Sequence, residues 1–187
     1  MAQKRKDWNG LISGFKASDL VFLDESGCNT DMTRRYAYSL GGSRAVDSAP
    51  LSKPKNTTIL SSIQLDGTLR YTTFSGGTTV ERFKRYLGTD LLPHLNGNSV
   101  LIMDNMKSHH AKAVRNLLDS SGVRYIYLPP YSPDLNPIEK LWSKVKAFLR
   151  KFKARTLDAL PNAIQNAFHS VTISDCSGWF RFCGYAL

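Results

Sequence analysis

The amino-acid sequence predicts an α/β fold built on a mixed β-sheet. Two short apolar runs, residues 20–23 and 100–103, each lead directly into an aspartate, which is typical of buried strands that end at a sheet edge. Residues 57–65 and 69–74 are rich in β-branched and aromatic side chains, and the Asp-Gly pair between them is a strong hairpin signal. Segments with helical periodicity separate the other strands. The sheet should therefore combine antiparallel and parallel pairs.

The first half of the chain adds three further elements. Residues 1–18 are polar and basic, which predicts an N-terminal arm or a short packing helix ahead of a globular domain in residues 19–187. Residues 34–40 carry side chains that are favoured in strands and predict one more strand. Residues 79–95 have apolar positions at helical spacing, which predicts a helix before the second apolar run.

The second half of the chain contains the best-defined helix. Residues 108–120 predict a helix that Gly122 ends, residues 123–128 a further strand, and residues 157–171 a final helix. Between these, a turn-rich loop leads into a long helix that is predicted to begin at Pro137. Its apolar side chains recur at helical spacing and should form one stripe against the sheet: Ile138, Leu141, Trp142, Val145, Phe148, Leu149 and Phe152.

The composition indicates a basic protein with one substantial core. The chain has 187 residues, of which 42% are hydrophobic. Lys and Arg number 25 against 15 Asp and Glu, and the net charge of +10 attracts polyanions, of which nucleic acid is the commonest. Three cysteines without paired spacing argue against a disulfide framework and for a reducing cytosol. No apolar run is long enough for a membrane span or a secretory signal core.

Three acids occupy positions that suit metal-dependent phosphoryl transfer. Asp24 and Asp104 follow the two apolar runs, and Glu139 falls in the first turn of the long helix. Mg²⁺ and Mn²⁺ prefer oxygen ligands, and two such ions ~3.5–4 Å apart can activate an attacking oxygen while they stabilise the leaving one. Each acid also has a simpler interpretation. The aspartates would be turn or capping residues, and Glu139 would close a capping box with Asn136.

One border of the long helix carries an acid followed by basic residues. At about 100° per residue, Glu139 lies at the edge of the apolar stripe, in line with Ser143, Lys146, Arg150 and Lys153. A metal site that continues into a phosphate-binding track has this pattern. A charged border of this kind is more often only a solvated face of the helix.

Three motifs resemble a known family. Residues 128–142, LPPYSPDLNPIEKLW, closely resemble the signature of the mariner superfamily of transposases, especially its bacterial insertion-sequence branch. The sequence MDN at residues 103–105, with His109, resembles the second motif of that family, and FLDES at residues 22–26 resembles the first. The second and third acids are separated by 34 residues, which is the separation associated with the superfamily.

The resemblance implies a ribonuclease H-like fold, a mixed five-stranded sheet with helices on both faces. It implies that Asp24, Asp104 and Glu139 are the catalytic residues and bind two Mg²⁺ ions, with Mn²⁺ as a substitute. Water would attack a phosphodiester at the transposon end, and the freed 3′-hydroxyl would then attack target DNA without a covalent enzyme intermediate. Asn105 and His109 match family positions near the site and would orient a carboxylate or contact DNA. Their alternatives are a helix cap and a solvent-facing histidine.

The resemblance also implies partners. These are double-stranded DNA, both transposon ends and target, and a second copy of the chain in the synaptic complex. The candidate DNA contacts are Lys107, Lys146, Arg150 and Lys153. Family members usually carry an N-terminal helix-turn-helix region, and only 23 residues precede Asp24, so a separate helix-turn-helix subunit is a further expected partner. The expected location is the bacterial cytoplasm, at the nucleoid.

The sequence shows no obvious surface for self-association. The aromatic residues near the C-terminus are candidates, but apolar side chains in a terminal segment more often pack on their own core: Trp179, Phe180, Phe182 and Tyr185. Both possibilities remain open at the level of sequence.

Two other functions also remain open. A related ribonuclease H-like nuclease or Holliday-junction resolvase would place acids on strand ends too, although the motif at residues 128–142 argues against it. A truncated, non-catalytic transposase would bind DNA or form inactive dimers with a full-length relative. Metal-dependent strand cleavage that is lost when Asp104 is replaced separates an enzyme from such a module, which would only retard DNA in a salt-dependent way.

Overall fold

A five-stranded sheet forms the middle layer of the protein. The computed structural model describes residues 2–34, 36–50 and 54–185. The strands are β1 (Leu20–Cys28), β2 (Thr57–Gln64), β3 (Leu69–Ser75), β4 (Val100–Met103) and β5 (Arg124–Tyr127), in the order β3-β2-β1-β4-β5 across the sheet. β2 is antiparallel to β1 and β3, whereas β4 is parallel to β1 and β5. The mixed five-stranded sheet that the resemblance implied is confirmed.

Helices cover both faces of the sheet. They are α1 (Ala2–Ile12), α2 (Val80–Arg85), α3 (Lys112–Ser121), α4 (Ile138–Phe152), α5 (Ala159–His169) and α6 (Ile173–Phe182). A π-helical segment (Tyr86–Leu91) and a 3-10 turn (Leu92–His94) continue α2, so the predicted helix over residues 79–95 is confirmed in outline. No helix in the described ranges is long and apolar enough to cross a membrane.

The alternation of side chains along β1 divides the apolar core in two. Phe22 packs on the side of α4, α5 and α6, whereas Leu23 packs on the side of α2 and α3. The same alternation in β4 places Ile102 on the α4 side and Met103 on the other. Each of these side chains is fully buried, which contributes about 1.5–3 kcal/mol of transfer free energy apiece. The side chains of β1 and β4 thus pack against α4 on one face of the sheet and against α2 and α3 on the other.

The strand predicted for residues 34–40 is wrong. Residue 35 lies outside the described residues, and the others in this segment form an exposed loop without a strand. Tyr36 and Tyr38 are 91% and 107% exposed. Residues of this type form strands when they pack on a half-buried surface, and these two side chains have none.

The predicted helix over residues 108–120 begins too early. Residues 107–110 form a turn, and Ala111 has a non-helical ψ of 139°. α3 therefore starts at Lys112, the residue after Ala111 and four residues later than predicted. The turn carries His109, the histidine of the second motif.

Helix α6 has no counterpart in the prediction, where the final helix ended at residue 171. It begins with a capping box, in which Thr172 Oγ1 accepts from the Asp175 N–H and the Asp175 carboxylate accepts from the Thr172 N–H. Phe180 is fully buried, and Tyr185, just after the helix, is also buried. Phe182 is 66% exposed. The C-terminal aromatic residues thus pack mostly on their own core.

Gly122 and Gly178 test how a glycine affects stability at the end of a helix and inside one. Gly122 closes α3 with a φ of 69°, a region that costs an L-residue about 1–2 kcal/mol, whereas Gly178 lies inside α6. Neither position has atoms within 4 Å of an added Cβ. Gly122→Ala is therefore expected to lower the free energy of unfolding by about 1 kcal/mol, and Gly178→Ala to raise it by about 0.5–1 kcal/mol. Urea denaturation of both variants measures this, and equal shifts in one direction would contradict it.

Candidate active site

Asp24 lies within β1 and not at its C-terminal end, so that prediction is wrong. The parallel pairing with β4 stops at Leu23, opposite Met103, but the antiparallel pairing with β2 continues to Cys28, opposite Thr57. β1 extends past its apolar run because these backbone hydrogen bonds do not require apolar side chains. Asp24 is the first residue of β1 beyond the parallel pair.

Asp104 directly follows β4, as predicted, and lies beside Asp24. Side chains two residues apart share one face of a strand, so Asp24 lies on the same face as Phe22, the face covered by α4. A hydrogen bond fixes this orientation, since Trp142 Nε1 of α4 donates to Asp24 Oδ2 at 3.1 Å. The apolar stripe of α4 therefore also holds a carboxylate.

Glu139 enters the site from the first turn of α4. The helix begins at Ile138 with Pro137 as its N-cap, one residue later than predicted, and no side chain caps it. The Asn136 N–H donates to the Pro133 carbonyl, and Asn136 Oδ1 accepts no hydrogen bond from the described residues, so the capping box between Glu139 and Asn136 is wrong. The Glu139 side chain is exposed.

The three acids line one open cavity of about 470 Å³. The loop after β4 and the loop between β5 and α4 form its other walls. Within the described ranges, no three His, Cys, Asp or Glu side chains are close enough to form a metal site unaided. Mg²⁺ is usually held by one or two carboxylates, with water and substrate phosphates as further ligands. Three carboxylates around one cavity fit such an ion.

Asp24 is a buried carboxylate whose partners carry no charge. Its side chain is bonded to the Glu25 N–H at 2.8 Å and to the Trp142 indole. Burial raises the pKa of Asp24 to about 7, because these two donors offset only part of the desolvation and the negative charges of Asp104 and Glu25 add to it. A divalent cation would supply the missing counter-charge. This is a second observation that fits a metal ion.

His109 is buried between two carboxylates. Its Nδ1 lies 2.9 Å from Asp104 Oδ1, its Nε2 lies 3.2 Å from Glu25 Oε2, and its ring stacks on Phe83. Burial alone would lower the pKa of His109, but the hydrogen bonds with Asp104 and Glu25 outweigh it and raise the pKa to about 9. The charged ring therefore donates to both acids. The solvent-facing alternative is wrong.

The same contacts stabilise the charged form of Asp104. Burial works to raise the pKa of Asp104, but the hydrogen bonds from His109 and from the Met106 N–H outweigh it and lower the pKa. Asn105 donates to the Leu128 carbonyl and so ties the loop after β4 to the end of β5. The loop that carries Asp104 is thus held by two contacts, one between Asp104 and His109 and one between Asn105 and Leu128.

Two residues of the site were missed by sequence reasoning. Trp142 was predicted only as a member of the apolar stripe, although a buried indole N–H usually needs an acceptor, and this was the available signal. Glu25 has no local signal beyond its place in the first motif, because its partner His109 lies 84 residues away along the chain.

All four candidate DNA contacts have accessible side chains. Lys107 is exposed in the turn between β4 and α3. Lys146 and Arg150 extend along α4 from Glu139 and, together with Arg34, line a cavity of about 860 Å³ beside the end of β1. This wall is basic on balance, because it carries these three cations and one acid, Asp31.

Lys153 has a different environment from the one its position on the helical border suggested. α4 ends at Phe152, and Lys153 follows it with a φ of 56°. Its Nζ lies 2.6 Å from Asp47 Oδ2, and this ion pair compensates its charge. α4 itself carries the basic border as far as Arg150, and a contact between Lys153 and DNA stays a prediction.

This chain is similar to known endonucleases and transposases. Residues 19–161 match the family model described as DDE superfamily endonuclease. The chain is 32% identical over 83 residues to the transposable element Tc1 transposase of Caenorhabditis elegans, a match that covers 44% of this chain and 30% of that protein.

Two solved structures share the fold. The Mos1 transposase paired-end complex with left transposon end has a TM-score of 0.80 at 19% identity, over 95% of this chain and 57% of that one. The catalytic domain of Mos1 mariner transposase has a TM-score of 0.73 at 17% identity, over 96% of this chain and 85% of that one.

The chain thus spans a little over half the length of the Mos1 transposase chain in that complex. At these identities the structural likeness establishes the fold. The family model goes further, because it covers most of the chain, from the residue before β1 to the start of α5, and includes all three acids of the cavity. The chain therefore belongs to the DDE superfamily endonucleases.

Proposed function

We propose that this chain is the catalytic domain of a DNA transposase of the mariner superfamily, from its bacterial insertion-sequence branch. The observation that carries the proposal is the arrangement of Asp24, Asp104 and Glu139 around one cavity. Membership of an endonuclease family and the similarity to the Tc1 and Mos1 transposases support it. The proposed catalytic domain comprises residues 19–187. The basic arm that precedes it contains α1, and Trp8 of this helix is buried in the core on the α4 side of the sheet.

The three acids would hold two Mg²⁺ or Mn²⁺ ions. Such ions, when bound, activate the attacking oxygen and stabilise the leaving one. The donor set consists of carboxylate oxygens, which hard divalent ions prefer, and Asp24 lacks a counter-charge. Mos1 paired-end complexes that have been solved with Mn and with Mg support the choice of metal.

The other residues of the site position these ligands. The Trp142 indole and the Glu25 N–H hold the two oxygens of Asp24. His109 and the Met106 N–H both bind Asp104 Oδ1, so Oδ2 remains available as a metal ligand. Partners of this kind orient the metal ligands, and the loss of one typically lowers metal affinity or activity by about 10- to 100-fold.

The proposed reaction has two steps. Water attacks a phosphodiester at the transposon end, and the P–O3′ bond breaks to release a 3′-hydroxyl. That hydroxyl then attacks a phosphodiester of target DNA, and a new P–O3′ bond replaces the one that breaks. No covalent enzyme intermediate is needed. A second copy of the chain is the proposed partner in the synaptic complex.

Nicking of supercoiled plasmid tests the enzymatic part of this proposal. The purified chain is expected to convert supercoiled plasmid to open circles with Mn²⁺ or Mg²⁺ and to stop when EDTA is added. A non-catalytic DNA-binding module would retard the plasmid in a gel but leave it supercoiled at every Mn²⁺ concentration. That second result would favour the regulatory alternative.

The basic wall of the larger cavity is proposed to bind DNA phosphates. Each phosphate contact contributes about 0.9 to the slope of log K against log salt concentration, so Lys146→Ala with Arg150→Ala is expected to lower that slope by roughly 2. A matched variant removes the same charge from exposed positions on the opposite face, Lys112→Ala with Arg115→Ala. Fluorescence anisotropy of labelled duplex DNA at several salt concentrations measures both slopes. Equal losses in the two variants would show only a nonspecific effect of net charge.

A further inference from the structure

The residues that follow α6 contact the loop that leads to Glu139. Tyr185 is 4% exposed, and its hydroxyl donates to the Leu135 carbonyl at 2.5 Å. Leu135 ends the 3-10 turn Pro133–Leu135, four residues before Glu139. A hydroxyl that is bonded to a buried backbone oxygen fixes the position of the backbone itself. This bond therefore constrains the backbone just before the chain enters α4.

The same tyrosine also packs on the strand that carries Asp24. The ring centroids of Tyr185 and Phe22 are 5.0 Å apart, and Phe180 packs edge-on against Phe22 at 5.4 Å. Phe22 precedes Asp24 by two residues on the same face of β1. The C-terminal segment thus touches β1 and the α4 entry at the same time.

A third contact lies next to Glu139 itself. Lys140 Nζ lies 3.8 Å from the centroid of the Phe182 ring, which is within the range of a cation–π interaction. Contacts from α6 and the residues after it therefore fall on both sides of Glu139, at Leu135 and at Lys140. None of these C-terminal residues belongs to the segment that matches the family model, residues 19–161.

We propose that Tyr185 is a positioning residue that sets the separation between Asp24 and Glu139. This inference rests on the proposed function, since that separation matters only if both acids bind the same group of metal ions. Tyrosine suits the role because its ring is rigid and its hydroxyl acts at a fixed distance from the ring. Catalytic groups must be held within about 0.5 Å of their productive positions, so the loss of one such bond is sufficient to matter.

Tyr185→Phe and Tyr86→Phe are a matched pair of variants that test this role. Each removes one buried hydroxyl that donates to a backbone carbonyl and keeps the ring. Tyr86 is 1% exposed and donates to the Arg70 carbonyl at 2.8 Å, in the core on the other face of the sheet. Both changes should lower the urea midpoint of unfolding, and only the change at Tyr185 should affect the site.

The experiment measures the plasmid-nicking rate of each variant of the 187-residue chain over a series of Mn²⁺ concentrations. Tyr185→Phe is expected to lower the maximal rate by about 10- to 100-fold and to raise the Mn²⁺ concentration for half-maximal rate severalfold. Tyr86→Phe should stay within about twofold of the wild type in both. Phe182→Ala, which alters an exposed ring, should shift the rate in the same direction as Tyr185→Phe by a smaller factor.

Equal effects of the two tyrosine variants, or a Tyr185→Phe chain with the wild-type rate and Mn²⁺ requirement, would overturn the inference. Mn²⁺ affinity, measured by electron paramagnetic resonance, separates this failure from a failure of the proposed function. If the wild type binds Mn²⁺ without cleaving, a weaker affinity in Tyr185→Phe alone still supports the positioning role. A wild type that neither binds Mn²⁺ nor cleaves would overturn the proposed function and this inference with it.

Discussion

Replacing Asp104 by asparagine is expected to lower the rate of DNA cleavage by about a thousandfold. Asparagine keeps the shape of the side chain but loses the charge that attracts a divalent ion. A metal ion contributes several kcal/mol to the stabilisation of a phosphoryl-transfer transition state, and a loss of about 4 kcal/mol corresponds to roughly three powers of ten. Because the Asp104 side chain is 46% exposed, the change should leave the fold intact. Plasmid nicking in Mn²⁺ measures the loss.

Glu139→Gln should have an effect of the same size, because its side chain is exposed and lines the same cavity. Glu81→Gln is the matched control, since Glu81 is an exposed acid in the first turn of α2, outside the cavity. The control should cleave like the wild type. Cleavage by Asp104→Asn or Glu139→Gln within about tenfold of the wild type would mean that these carboxylates do not hold the ions that matter.

Substitutions of His109 should separate its two hydrogen bonds. Asparagine can place an amide nitrogen where Nδ1 lies, next to Asp104, whereas glutamine can place one where Nε2 lies, next to Glu25. His109→Gln is therefore expected to lose about 10- to 100-fold in cleavage rate and to need more Mn²⁺, and His109→Asn should lose less. Rates over a Mn²⁺ series measure both variants.

Thermal unfolding of the two His109 variants is the control for this comparison. Both replace a buried ring that stacks on Phe83, so both should be destabilised to a similar degree. If the two variants cleave equally poorly at equal stability, the contact with Asp104 is not what His109 contributes. A larger loss in the asparagine variant would assign the effect to Glu25 instead.

The parts of the site that could be predicted depend on local patterns. Asp104 follows an apolar strand, and Glu139 falls in the first turn of a strongly amphipathic helix, and both patterns are visible within about ten residues of sequence. The alternation along β1 is equally local, and it places Asp24 on the α4 face. The carboxylates themselves, and the elements that carry them, were therefore accessible from sequence.

The parts that could not be predicted depend on contacts between distant segments. β1 continues past Asp24 only because β2, more than thirty residues later in the chain, supplies backbone partners up to Cys28. The bond between Glu25 and His109 exists because β1 and β4 are neighbours in the sheet. The strand predicted for residues 34–40 failed for the opposite reason, since its strand-forming side chains have no surface on which to pack.

Helix α6 had a sequence signal that a search for apolar periodicity does not detect. The capping box of Thr172 and Asp175 marks its start, but the segment also contains Gly178, which weakens a helix assignment. Its position is set by Phe180, which packs on Phe22 of β1. The capping pattern predicts where such a helix begins, whereas tertiary packing decides that it forms.

Mn²⁺ binding is the most direct test of the claim that the three acids form one metal site. Electron paramagnetic resonance detects free Mn²⁺, so titration of the purified chain gives its affinity without DNA. The wild type is expected to bind Mn²⁺, and Asp104→Asn and Glu139→Gln should each bind it at least about tenfold more weakly while retaining the wild-type circular dichroism spectrum. Equal Mn²⁺ affinity in the wild type and in both variants would contradict the account, because these carboxylates would then not be ligands.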